Sequence, residues 1–336
     1  MMSLELCLDY EASLPSVRSI LKRSKKTQWT IDEIPWAKDL KDDAYLRVLD
    51  WQGVMQSSYI QGLSKKKKQE LARQFVAFEF SQILHGEQGA MMLAGQLTNC
   101  LADLDARLFA ATQVSDEARH VEAGREIVGR LGPVYPCGSM LRRTLEDLLE
   151  SKSWPKQVLG LQLFLEARAL LSFRQQILFV DDPVFRDAVL RIERDESQHV
   201  AFGIRYMQNE ISELSFEDRE ELVQYAQWLD SNIWRMTQPQ EYRAPFDECN
   251  LDYAEFRRTQ RVDSKLAPRL SIRERKTVAG MMQQFQKWFY RALARTKIVR
   301  PGETIAGVNI PENALDGFEA LFADREQLPW VEESID

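Results

Sequence analysis

Asp116-Glu117-Ala118-Arg119-His120-Val121 and Asp195-Glu196-Ser197-Gln198-His199-Val200 are two forms of one word, 79 residues apart. The same offset carries Glu87 onto Glu166, Ala90 onto Ala169, Arg107 onto Arg186 and Gly124 onto Gly203, so the repetition reads as an internal duplication. On a helix, Glu and His three apart sit one turn from each other on one face, where their side chains can converge on a point. Each word is therefore half of a metal site. A lone Glu-x-x-His is a weak signal, because helices are rich in Glu and most histidines are satisfied surface or core groups. This chain has only three histidines, and two of them occupy these words. Coincidence on two solvated faces is the poorer explanation.

The surrounding pattern is helical almost throughout. Spacing predicts helices from about Lys66 to Thr98, Asp103 to Leu131 (stopped by Gly132-Pro133), Met140 to Glu150, 156 to 180, and 184 to 212. If Glu87 faces Glu117 across an antiparallel pair, the turn should fall midway, at residue 102; for Glu166 and Glu196 it should fall at residue 181. Both midpoints land on breaks: the Asn99 to Asp105 region, and Asp181-Asp182-Pro183. Six side chains from four helices can thus lie at one height. Outside this unit, residues 1–40 read as an arm pinned by Trp29, Ile31, Ile34 and Trp36, and Asp42 to about Gly62 as one helix. Ser215 to Met236 reads as another helix, followed by an irregular stretch to about Asn250. A helix over 272–297 and a loop-like tail from Pro301 complete the chain. The division expected is an arm (1–40), a bundle (41–240) and a C-terminal extension (241–336) that packs on the bundle or forms a subunit contact, a homodimer included.

Composition bounds the function. Among 336 residues, 44% are hydrophobic and 28% charged, enough for a large core. A net charge of −7 argues against a nucleic-acid partner, whose phosphates need an excess of Lys and Arg, and Lys65 to Lys68 reads as a solvated helix entrance. No apolar run suggests a membrane span or a signal peptide. Cys7, Cys100, Cys137 and Cys249 form no C-x-x-C pair and read as reduced. A cytoplasmic location is expected.

One Glu from each of two helices and one Glu-x-x-His from each of the other two is the donor set of dinuclear carboxylate bundles. Four carboxylates with two imidazoles favour two iron ions, or manganese with iron, over zinc or copper. On Glu87, Glu117, His120, Glu166, Glu196 and His199, over roughly residues 70 to 210, the chain resembles the ferritin-like diiron-carboxylate proteins. That group includes the bacterial multicomponent monooxygenases and the small subunit of ribonucleotide reductase. The resemblance implies an all-α fold: a ferritin-like four-helix bundle with additional N- and C-terminal helices. It also implies one metal on Glu87, Glu117 and His120, a second on Glu166, Glu196 and His199, and one or two bridging carboxylates. Asp195 would orient His120 and Asp116 would orient His199, with Arg119 neutralising buried acid and Gln198 in its place in the second word.

Departures from relatives narrow the activity. Where the radical-forming reductase subunit carries Tyr this chain has Gly124, and where arylamine N-oxygenases carry an extra His it has Ile192. The Val and Tyr of ligand-binding oxidases are Gly89 and Leu161, so their internal cross-link cannot form. The Thr of monooxygenase large subunits is Leu170. Gly86, Gly89, Ala90, Ala94 and Gly95 surround Glu87 with small residues, which signals close helix packing or room for a ligand. The expectation is an O2-activating oxidoreductase, oxygenase or hydroxylase in type. It would use O2 and an external donor of the ferredoxin or flavin-reductase kind to oxidise a small, largely apolar substrate beside Gly86, Ala90, Phe164, Leu170 and Phe173. The alternatives are a ferroxidase or metal-storage protein, a radical generator using a metal-based oxidant, and an N-oxygenase. His85, two residues from Glu87, points elsewhere and reads as a satisfied histidine.

Overall fold

A computed structural model describes residue 10 and residues 14–38, 40–232, 241–262 and 285–313. Its centre is four antiparallel helices in two hairpins. The first hairpin joins α4 (Lys65–Cys100) to α5 (Leu104–Leu131), the second α8 (Ala167–Phe179) to α9 (Pro183–Glu210). Both turns, 101–103 and 180–182, are centred where the carboxylate spacing puts them. Each is closed by a capping side chain: Asp103 accepts from the Ala106 amide, and Asp182 accepts from the amides of Val184 and Phe185. Pro183 at the first position of α9 loses nothing, since its N–H would be unpaired there anyway. Between the hairpins run α6 (Ser139–Glu150) and α7 (Trp154–Gly160). A six-residue π-helical segment, Leu161–Glu166, then leads into α8.

The periphery is more helical and more broken than the spacing predicts. The stretch 1–40, expected as an arm, holds α1 (Pro15–Lys26), which packs on α5 and α9. Trp29 and Ile34 behind it are buried, while Ile31 and Trp36 are only partly covered. The single helix expected from Asp42 to Gly62 is split into α2 (Arg47–Trp51), a 3-10 turn and α3 (Ser58–Gln61). Gly53, at φ +66°, turns the chain out of the helical region at that point. The stretch expected to be irregular up to Asn250 contains α11 (Ala244–Glu248) and is followed by α12 (Tyr253–Val262), while α10 covers Phe216–Asn232. Residues 233–236 and 272–284 of two expected helices lie outside the described residues. Residues 285–295 are helical and pack on the bundle, with Phe285 and Phe289 against Phe164 at ring distances of 5.9 and 5.1 Å. The tail holds a two-residue antiparallel pair, Thr304–Ile305 with Val308–Asn309. No described helix is long and apolar enough to cross a membrane.

Among the described residues, most of the buried apolar side chains fall into two clusters, and each of the four central helices crosses from one to the other. On α4 the border falls between Phe80 and Ala90, on α5 between Ala110 and Ala123, on α8 between Leu171 and Phe173, and on α9 between Ile192 and Val200. Polar side chains fill the layer between.

Candidate metal centre

Glu87, Glu117, His120, Glu166, Glu196 and His199 all meet in that layer, each at most 6% exposed. They come from α4, α5, the end of the π segment and α9. The π turn carries Glu166 and had no signal in the sequence; such insertions gather at functional sites because they re-aim one side chain without ending the helix. Gly203 on α9 permits it. A Cβ there would stand 2.6 Å from Gln162 Cβ and 2.8 Å from Leu163 Cδ1.

Donor atoms fall into two overlapping groups, Glu87–Glu117–His120–Glu196 and Glu117–Glu166–Glu196–His199, each with all its atoms within 4.8 Å of one another. His120 Nδ1 stands 3.0 Å from Glu196, 3.2 Å from Glu117 and 3.4 Å from Glu87. His199 Nδ1 stands 3.2 Å from Glu117, 3.5 Å from Glu196 and 4.0 Å from Glu166. Both Glu196 oxygens, Glu166 Oε2 and His199 Nδ1 are buried without a hydrogen-bond partner. Buried polar atoms are normally satisfied, so unsatisfied acceptors converging on one point are what a cation would fill. Six buried carboxylates, counting Asp116 and Asp195, share this layer with Arg119. With neutral imidazoles, two divalent cations would bring it within one charge of neutrality.

The electrostatics agree. Burial, reinforced by the charge of Glu196, pushes the carboxyls of Glu87 and Glu166 well above their ordinary range. At Glu117 burial acts in the same direction, but the charges and hydrogen bonds of His199 and His120 outweigh it and hold the carboxyl below its usual range. Burial opposes charge on the imidazoles too. The carboxylates of Asp195, Glu117, Glu196 and Glu87 around the ring overcome it at His120, and the charges of Glu117 and Glu196 overcome it at His199. The layer is short of positive charge.

A second layer fixes the rings. His120 Nε2 meets Asp195 Oδ2 at 3.4 Å and His199 Nε2 meets Asp116 Oδ2 at 3.2 Å, each Asp coming from the opposite word and leaving Nδ1 facing the carboxylates. Arg119 reaches both, at 2.5 Å to Asp116 and 3.4 Å to Asp195. Gln198 instead donates to Thr27 Oγ1 at 3.0 Å, tying α9 to the end of α1. Sequence reasoning missed the residues that complete this shell. Trp29 Nε1 donates to Asp195 at 2.7 Å and its ring stacks over His120, while Ser24 and Gln28 donate to Asp116. Gln113, fully buried, donates to Glu117 at 3.2 Å and to Glu166 at 2.6 Å. Its place four residues before Glu117, on the same helical face, was the available signal. His85 turns away and meets the Tyr135 carbonyl at 2.8 Å.

A cavity of about 330 Å³ adjoins the layer, with Glu87, Glu166 and Glu196 in its wall. Of the residues expected beside a substrate, Gly86 and Ala90 line this cavity. Phe164, Leu170 and Phe173 do not. They are fully buried in the two apolar clusters, because the face of the π segment and α8 that meets the cavity carries Leu161, Leu165, Arg168, Ala169 and Ser172. Nor is the cavity wholly apolar, since Glu79, Arg168, Gln175 and Tyr242 also line it. The small residues around Glu87 divide between the two causes they signalled. A Cβ on Gly89 would meet Leu145 Cδ2 at 2.6 Å, whereas one on Gly86 would have nothing within 4 Å.

No family profile matches the sequence, and no curated protein matches it. Solved structures do match. A single-site mutant of an R2-like ligand-binding oxidase with an aerobically reconstituted Mn/Fe cofactor is similar at a TM-score of 0.51 and 16% identity, covering 92% of this chain and 98% of that one. An R2-like ligand-binding oxidase with the same kind of cofactor, after a long soak, gives 0.50 and 18% over 89% of this chain and 96% of that one. At such identities the likeness is one of backbone: this chain has the ferritin-like helical-bundle fold of the R2-like ligand-binding oxidases.

Proposed function

We propose that the protein is an O2-activating oxidoreductase whose six buried ligands, Glu87, Glu117, His120, Glu166, Glu196 and His199, hold two iron ions or a manganese–iron pair. One observation carries this reading: two overlapping donor groups share Glu117 and Glu196, contain buried atoms without partners, and form part of the wall of a substrate-sized cavity. The Mn/Fe cofactor in the solved structures of like fold supports the choice of metals. When bound, the metal pair supplies reduction of O2 and the resulting oxidising power.

The chain's own side chains set the conditions. Asp195 and Asp116 hold the Nε2 protons of His120 and His199 and so present Nδ1 to the layer. Gln113 orients Glu117 and Glu166, and the flanking apolar clusters exclude water. Gly86 leaves room for a small organic substrate next to Glu87. An external electron donor completes the cycle. Loading with ferrous ion under nitrogen, followed by admission of air, tests the reading. Two metals per chain and O2 uptake are expected in the wild type, and both should be lost in Glu117→Gln. Absence of O2 uptake by the reduced, fully loaded protein would overturn it, and accumulation of many irons per chain would favour the storage alternative.

A further inference from the structure

Arg168 lies on α8 two residues past Glu166, and its side chain lines the cavity. Among the described residues it has no hydrogen-bond or ion-pair partner, and its Nε is buried without one. Elsewhere in the molecule, guanidinium groups in such surroundings hold carboxylates: Arg119 on Asp116 and Asp195, Arg174 on Glu193, Arg219 on Glu303. The Arg168 Nε is shut off from water without an acceptor, which is costly, and the rest of the half-buried side chain is on the cavity wall, so the site suits an acceptor from outside the chain.

The nearest acid does not supply it. Glu79, on the α4 wall, acts on Arg168 through space only, and its Oε1 accepts from Gln52 at 3.2 Å and Tyr242 at 3.1 Å. Those two donors hold the carboxylate in place on its own side of the cavity. Glu79 is two helical turns, ~12 Å, from Glu87 along α4. Arg168, which feels the charge of Glu79, and Glu79 itself therefore give the cavity wall a polar region. Ala90, Leu141, Leu161 and Leu165 supply apolar surface elsewhere in its wall.

We infer that Arg168 is the subsite for a carboxylate group on the substrate, which would then be an amphipathic organic acid held by its charged end with its apolar part beside Glu87, Glu166 and Glu196. The planar fork of the guanidinium matches a carboxylate with two parallel hydrogen bonds, which also fixes the ligand's direction in the cavity. Glu79, across the site, disfavours a second negative charge and selects a monoanion. This rests on the cavity being the substrate site of the proposed oxidoreductase.

The test is calorimetric titration of the metal-loaded, full-length protein with 3-phenylpropionate and hexanoate and with their uncharged amides, alongside metal analysis of the same samples. The acids should bind the wild type at least about tenfold more tightly than the amides. Arg168→Gln should remove that preference while keeping the metal content, and Arg168→Lys should restore part of it. Glu79→Gln should tighten binding of both acids by lifting the like charge. Equal binding of acid and amide, or acid binding unaffected by Arg168→Gln, would overturn the inference and leave the metal reading standing. A wild-type protein without two metals would instead sink the metal reading, whatever the acids do.

Discussion

Asp195 shows how much one residue can organise. Its Oδ2 faces Trp29 Nε1, His120 Nε2 and Arg119 together, so a single carboxylate joins α9, α5 and the segment after α1. Asp195→Asn keeps the shape but removes the charge that holds the His120 proton on Nε2. Metal affinity measured by competition with a chelator should fall about 10–100-fold with the helical circular-dichroism signal unchanged. That each word carries Asp in the same place is plain in the sequence, whereas the pairing of each Asp with the opposite histidine was implied only by the family resemblance. Ser24, Gln28 and Trp29 were not legible. They belong to neither copy of the duplication, and only the tertiary packing of α1 on α5 and α9 brings them to the site.

At the scale of elements, the four long helices announced themselves through period, caps and carboxylate spacing, whereas the π segment did not. Its i→i+5 pattern has no residue signature, and Gly160 and Gly203 beside it are visible only as tolerated glycines until their neighbours are in view. Gly203→Ala would place a Cβ 2.6 Å from Gln162 Cβ, an atom next to the backbone that cannot swing away. It should cost about 1–3 kcal/mol in thermal unfolding and lower occupancy of the position served by Glu166. A second element-level contact is sensitive to acid. The hydrogen bond from Arg219 holds the Glu303 carboxyl at about 2, below its ordinary 4.5, and pins the segment after the helix of residues 285–295 onto α10. A depressed folded-state value means stability present above about pH 4.5 and lost as pH falls toward 2. For a partly exposed pair the effect is ~1 kcal/mol or less, and Glu303→Gln should abolish that part of the acid dependence of unfolding.

For the molecule as a whole, the arrangement is a polar sheet of charge between two apolar clusters. Such a layer is a poor way to stabilise a fold, since each buried carboxylate gives up hydration that only a cation or a hydrogen-bond donor returns. The duplication explains how it came to lie at one height in four helices, and the extra helices outside residues 70–210 close its flanks. The cavity can be separated from the metals by one substitution. Gly86 has nothing within 4 Å of an added Cβ, so Gly86→Leu should leave metal content and thermal stability intact while abolishing ligand binding, as read by calorimetry. The claim on which the whole account depends is that two ions share the six side chains. Anomalous diffraction at the iron edge from crystals loaded with ferrous ion measures this most directly. Two peaks about 3.5–4 Å apart, between His120 Nδ1 and His199 Nδ1, are predicted, and a map with no peak among Glu87, Glu117, Glu166 and Glu196, or with iron only at the surface, would contradict it.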